Sequence, residues 1–254
     1  MNHRTALLLG LGALAACQSV PYTNRQHLVL ISASEEASLG QSSYSQALKE
    51  AKVSSDAAAN AMLQRVGQRL AAAAAKPDYK WEFTLLDDPK TINAWCLPGG
   101  KVAVYSGILP VTQDETGLAV VLGHEISHAL ARHGSERMSQ GLLANLGGAA
   151  LGVALSKKPA ETQALAQQAY GAGATVGVLL PFSRAQESEA DHIGLILMAK
   201  AGYDPAQAVP FWERMSKSAG GDGTPEFLRT HPADAKRIED IKKELPEAQG
   251  YLKR

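Results

Sequence analysis

Residues 124–128 read His-Glu-Ile-Ser-His. On a helix, His124 and His128 stand four residues apart and project from one face, one turn from each other. That spacing lets two imidazoles grip one zinc ion, with Glu125 beside the first ligand, in reach of a polarised water and able to serve as general base. A chance pentapeptide on a buried helix is the competing reading. It is the weaker one, because buried imidazole and carboxylate groups need partners and a metal supplies one.

Two protein ligands do not complete a catalytic zinc site, which usually has three plus an open position. Residues 184–194 read Arg-Ala-Gln-Glu-Ser-Glu-Ala-Asp-His-Ile-Gly. Glu187 and Asp191 are again one helical turn apart, with Ile193, Leu195, Ile196 and Met198 as apolar support. Glu187 is expected to ligate the metal. Asp191 is expected to accept a hydrogen bond from a ligand histidine and hold its tautomer. Glu189 is the weaker candidate, pointing about 200° around the helix from position 187. Taken alone, this acidic run reads equally well as a solvated face.

Together these segments resemble the gluzincin zinc metallopeptidases related to HtpX, the mitochondrial Oma-type proteases and the CAAX prenyl proteases. The shared elements are His124–His128, Ser183-Arg184-Ala185-Gln186-Glu187-Ser188-Glu189-Ala190-Asp191, Asn93-Ala94-Trp95-Cys96-Leu97-Pro98-Gly99-Gly100, and Thr230-His231-Pro232. The resemblance covers roughly residues 80–240. It implies His124, His128 and Glu187 as ligands of one Zn2+ and Glu125 as catalytic base. His231 has three readings: a fourth ligand in a closed state, a donor to the reaction intermediate, or a structural loop residue. Among family members, short periplasmic lipoproteins such as LoiP fit better than longer ones carrying tetratricopeptide arrays.

The elements that must position these groups read as an α+β, mostly helical zincin-type domain with a small sheet or hairpin beside the His-Glu-Ile-Ser-His helix. Leu118, Val121, Leu122, Ile126, Ala129 and Leu130 recur at helical spacing, and Thr112 with Glu115 reads as a capping box before them. Trp81 to Leu86 and Lys101 to Ser106 read as strands, separated by the Pro98-Gly99-Gly100 turn signal. Such a hairpin could pair with a peptide backbone, which makes Gly99, Gly100 and Val102 candidate substrate-binding positions. Residues 35–75 are spaced for helices. The apolar runs 142–155 and 169–180 are too short to span a bilayer. They read as two helices packed through small residues, with a membrane-dipping hairpin as the sharper alternative. Ala233 to Leu245 reads as a charged terminal helix.

At the N-terminus, Ala6 to Ala16 is an apolar run ending in Leu14-Ala15-Ala16-Cys17, the pattern of a lipoprotein signal. This predicts a signal peptide over 1–16, lipidation at Cys17, a lipid-anchored tether over 17–34 and a metallopeptidase domain over 35–254. Gln18, where an inner-membrane retention signal would carry Asp, favours the outer membrane. The 25 basic and 25 acidic residues balance to zero, and removal of Arg4 with the signal leaves 24 against 25. No basic stripe suggests nucleic acid. With Cys17 acylated, Cys96 has no disulfide partner and reads as a small buried hydrophobe. His133 reads as a helix-end residue, His192 as surface and His27 as part of the tether. The expected function is envelope-protein quality control, with unfolded or misfolded chains as substrates. The alternative is a non-proteolytic zinc-containing chaperone or assembly factor. The intact Glu125 argues against it, since a structural zinc has no use for a base.

Overall fold

The computed structural model describes residues 17–175, 180–218 and 224–252. They form two compact units. One comprises residues 33–131, 187–218 and 224–252, the other residues 17–32, 132–175 and 180–186.

In the first unit, helices α1 (Ala33–Glu50) and α2 (Ala57–Ala74) precede a three-stranded sheet. Asp56 caps α2 by accepting from the Ala59 amide at 3.0 Å. Leu63, Val66 and Leu70 recur at helical spacing and are buried. The sheet runs β3 (Glu82–Leu86), β5 (Lys101–Tyr105), β4 (Ala94–Leu97), with β5 in the middle. β3 pairs with β5 in parallel, Phe83 opposite Val102. β4 pairs with β5 antiparallel, Cys96 opposite Val102. A hairpin is therefore present, but β4 and β5 form it; the two strands read from the sequence, β3 and β5, run parallel and cannot be joined by a tight turn. The turn between β4 and β5 needs Gly99 (φ +82) and Gly100 (φ +84), and a Cβ on Gly100 would meet the Trp81 ring at 2.9 Å.

After the short helix α3 (Leu109–Thr112) comes α4 (Glu115–Leu130), buried continuously from Gly117 to Leu130. Its N-cap is Asp114, whose carboxylate accepts from the Gly117 amide at 2.8 Å. The capping box read from Thr112 and Glu115 is thus corrected. Thr112 is occupied one turn earlier, donating to the Leu109 carbonyl at 3.0 Å. β4 packs along α4, so the sheet does sit beside the His-Glu-Ile-Ser-His helix.

The helix α7 (Leu180–Lys200) crosses α4 where two glycines meet. A Cβ on Gly194 would lie 3.1 Å from the His124 amide nitrogen, and one on Gly123 3.1 Å from the Gly194 carbonyl oxygen. Without side chains there, the two backbones approach closely, which brings Glu187 and Asp191 to the histidines of α4. Gly202 (φ +78) then ends the segment, and Asp204 caps a short 3₁₀ turn leading into α8 (Ala208–Lys217). Helices α9 (Glu226–Thr230) and α10 (Ala235–Gln249) close the unit.

In the second unit, β1 (Cys17–Ser19) and β2 (Gln26–Leu28) pair antiparallel. Helices α5 (His133–Ala154) and α6 (Ala160–Ala174) follow, on either side of Lys157-Lys158-Pro159. Arg25 binds Glu136 through two contacts of 2.7 and 2.8 Å, and Gln186 donates to the same carboxylate at 2.8 Å. The stretch read as a tether therefore carries a hairpin in which Val20, His27 and Val29 are buried. His133, read as a dipole-facing helix end, instead begins α5 and is fully buried. The signal-peptide reading of 1–16 and part of the 169–180 run lie outside the described residues. No described helix is long and apolar enough to cross a membrane.

Candidate metal centre

His124 and His128 project from α4 with their Nε2 atoms 3.1 Å apart. Glu187 of α7 faces both, Oε2 3.3 Å from His124 Nε2 and Oε1 3.4 Å from His128 Nε2. His231, just past α9, completes the group: its Nδ1 lies 2.8 Å from Glu187 Oε2 and 3.1 Å from His124 Nε2. The four ligand atoms all fall within 4.8 Å of one another.

These separations test whether a zinc ion fits. Tetrahedral coordination at about 2.0–2.2 Å puts neighbouring ligand atoms ~3.3 Å apart. The five separations given above run from 2.8 to 3.4 Å, and no pair in the group lies more than 4.8 Å apart. The donor set of three imidazole nitrogens and one carboxylate is one that zinc takes. Tautomers point the same way. His124 Nδ1 donates to Asp191 Oδ1 at 2.9 Å, so in the neutral imidazole its Nε2 presents a bare lone pair to the other nitrogens. Burial alone would depress the His124 pKa, yet its bonds to Asp191 and Glu187 raise it to about 9. The neighbouring carboxylates thus favour positive charge at this imidazole. The residues present fit zinc.

Asp191 is itself gripped. Arg237, in the first turn of α10, donates Nε to Oδ2 at 2.7 Å and Nη2 to Oδ1 at 2.8 Å. Its Nη1 donates to the Pro232 carbonyl at 3.0 Å, and its guanidinium lies 3.5 Å over the Trp212 ring centroid. Burial works to lift the Asp191 pKa, but Arg237 and His124 outweigh it and hold it below the ordinary value. Glu187 shows the same balance: burial opposes its charge, and the three histidines hold it strongly ionised. The Trp212 ring stands edge-on to His124 with centroids 5.8 Å apart, and Phe227 lies 4.8 Å from the His231 ring. Together they wall the histidines with apolar surface.

Glu125 is not among the four. It is 4 % exposed, and its Oε1 has no hydrogen-bond partner. The nearest cation-forming group is His231, whose Nε2 lies 3.4 Å away. Burial raises the Glu125 pKa, against the pull of His231 and His124. A buried carboxylate with a free lone pair beside a metal-sized set of ligands is poised to accept a proton.

The structure thus brings together His124, Glu125, His128, Glu187, Asp191 and His231. Glu189 is buried but outside the ligand group. Val102 sits fully buried in the central strand. The Gly99 and Gly100 carbonyls already accept from the Lys80 and Glu82 amides at 3.0 and 2.9 Å. These three positions therefore build the turn and the sheet interior, and the edge beside α4 is β4. Cys96, on β4, is half-buried; burial and the Glu125 charge push its thiol well above the ordinary value. His192 is mostly covered rather than on the surface, 3.8 Å from both Glu244 and Glu247. Sequence reasoning missed Arg237 and Trp212. Arg237 looks like one more charge on a polar helix. Its only distinguishing signal is its place shortly after Thr230-His231-Pro232.

Comparison with known proteins gives a consistent picture. The model of peptidase family M48 matches residues 57–245. The mitochondrial metalloendopeptidase OMA1 of Schizosaccharomyces pombe is 38% identical over 238 residues, covering 91% of this chain and 67% of that protein. The human metalloendopeptidase OMA1, mitochondrial, is 35% identical over 173 residues, 66% of this chain and 33% of that protein. A putative beta-barrel assembly-enhancing protease of Vibrio cholerae is 34% identical over 196 residues, 74% of this chain and 39% of that protein. The chain thus spans between one third and two thirds of the length of these relatives.

Proposed function

The chain belongs to peptidase family M48, and from that premise we propose that it is a zinc-dependent endopeptidase acting on unfolded or misassembled proteins of a bacterial cell envelope. The observation that carries the reading is Glu125. A purely structural zinc site would not keep beside its ligands a buried carboxylate with one oxygen left without a hydrogen bond.

His124, His128 and Glu187 would hold the zinc, and Asp191, braced by Arg237, would hold His124 in its metal-binding tautomer. Zinc bound there supplies Lewis-acid chemistry, acidifying water and polarising a carbonyl. Glu125 takes the proton of the attacking water and returns it to the leaving amine. Its raised pKa suits both transfers, because a base nearer neutrality gives the proton back more readily. β4 lies along α4, and an extended peptide adding to its edge would present its backbone to Glu125 whatever its side chains. Such recognition suits a protease of unfolded chains. The place of His231 within the ligand group supports its reading as a fourth ligand in a closed state, in which this side chain would have to withdraw to admit water and substrate.

The test is digestion of unfolded casein by the purified protein, with and without chelator, beside Glu125→Gln. The variant should retain zinc and fold and lose at least about a hundredfold in rate. Undiminished cleavage by Glu125→Gln removes the mechanism; no cleavage by the unaltered protein favours the chaperone reading.

The Leu14-Ala15-Ala16-Cys17 pattern supports a lipid anchor on the periplasmic side, at the outer membrane, with Cys17 acylated. Cys17→Ser should then leave the protein without acyl chains in mass spectra of the membrane fraction. Unchanged acylation in that variant sinks the assignment.

A further inference from the structure

Helices α5 and α6 form a hairpin whose surface is the reverse of what water favours. From Gly141 to Leu155 the one polar side chain is Asn145. Four large apolar groups point outward: Leu142, Leu143 and Leu146 are exposed, and Val153 is 76% exposed, while Leu151 and Leu155 are half-buried. No residue of α6 is buried, and Leu165 on it is 61% exposed. The seam between the helices holds glycines and polar side chains instead. Tyr170 donates its hydroxyl to the Ala144 carbonyl at 3.0 Å, and Gln167 donates to the Gly148 carbonyl at 2.8 Å. Gly147 leaves room for this, since a Cβ there would meet the Tyr170 hydroxyl at 2.1 Å. Small residues and polar groups inside with leucines outside is the arrangement that helix pairs adopt in lipid.

The charges choose among possible occupants. Between Arg137 and Arg184 the charged residues are Lys157, Lys158 and Glu161. The two lysines stand side by side, exposed, at the turn. From Gly141 to Leu155 the helix runs ~22 Å, against a hydrocarbon core of about 30 Å. The hairpin is long enough to enter one leaflet and too short to cross.

We propose that the α5–α6 hairpin is a membrane-docking element, which inserts its leucine surface into the interfacial region of an anionic bilayer while Lys157 and Lys158 pair with lipid phosphates. This differs from N-terminal anchoring, because it would hold a particular face of the protein to the lipid rather than tether it by one end. It does not depend on the enzymatic reading.

The test uses the full chain with Cys17→Ser, Cys96→Ser and Leu146→Cys, labelled with an environment-sensitive dye. Vesicles of phosphatidylethanolamine and phosphatidylglycerol containing brominated acyl chains should quench the label. A label placed by Lys49→Cys should stay unquenched. Each lysine near an anionic surface is worth about fivefold in affinity, so Lys157→Gln with Lys158→Gln should shift the titration about thirtyfold at low salt. Circular dichroism checks that each variant remains folded. Three results overturn the proposal: an unquenched label on a chain that floats with the vesicles, a titration indifferent to both lysines, or a label that responds only to protein concentration and cross-links between copies. The last would assign the face to self-association.

Discussion

Asp191→Ala would separate two things that one carboxylate does. The side chain is 6% exposed and ties His124 to Arg237, whose own side chain is 8% exposed. Removing it leaves a buried guanidinium without its counter-charge, a change that costs about 3–5 kcal/mol in comparable buried pairs. It also leaves His124 Nδ1 without its acceptor, and loss of such a partner lowers metal affinity about 10–100-fold. Arg237→Met separates the two effects. In the double variant no buried charge is left unpaired, and replacing both partners by apolar groups is often close to neutral. The double variant should therefore be several kcal/mol more stable than the sum of the single changes predicts. Its zinc affinity should stay depressed, because His124 still lacks its acceptor. Urea denaturation of the chelated proteins reads the first effect, and competition for zinc against a coloured chelator reads the second. The reasoning fails if Asp191→Ala binds zinc within twofold of the unaltered protein, or if the two single changes add without coupling.

Two further outcomes follow from the same geometry. His231→Ala opens the fourth corner of the ligand set and should raise basal cleavage of an unfolded substrate several-fold; a loss of two or more orders of magnitude with zinc retained would show instead that His231 stabilises the transition state. Glu244 on α10 is held up to about 7 by burial and by the charges of Asp191, Asp240 and Glu247. Between its ordinary value and about 7 the folded protein holds a proton that the unfolded chain has lost, so this group's contribution to stability falls as pH rises through that window, by at most about 3 kcal/mol. Glu244→Gln should therefore stabilise the protein at pH 8 and not at pH 4.5, and equal denaturation midpoints for the two proteins at pH 8 would contradict the assignment.

What the sequence determines by itself is whatever follows from the pitch of a single helix. The placing of His124 beside His128, with Glu125 between them, and of Glu187 one turn before Asp191, needs only about 3.6 residues per turn. Pro98-Gly99-Gly100 announces its turn because only glycine adopts those backbone angles without strain. The rest depended on elements distant in the chain. Thr112 with Glu115 reads as a cap, and only the path of the chain from α3 into α4 gave that place to Asp114. Val102 and Ala94 both lie in strands of the hairpin, and only the pairing of β3 onto β5 put Val102 in the middle and left β4 at the edge. His231 stands 107 residues from His124 and Arg237 stands 46 from Asp191. No local pattern encodes those meetings. They arise because Gly123 and Gly194 let α7 lie close on α4, and because the apolar faces of α8, α9 and α10 must be covered against the same pair of helices. Burial by that packing, not residue type, raises the Glu125 pKa and turns Arg237 from a surface charge into the brace of a ligand histidine.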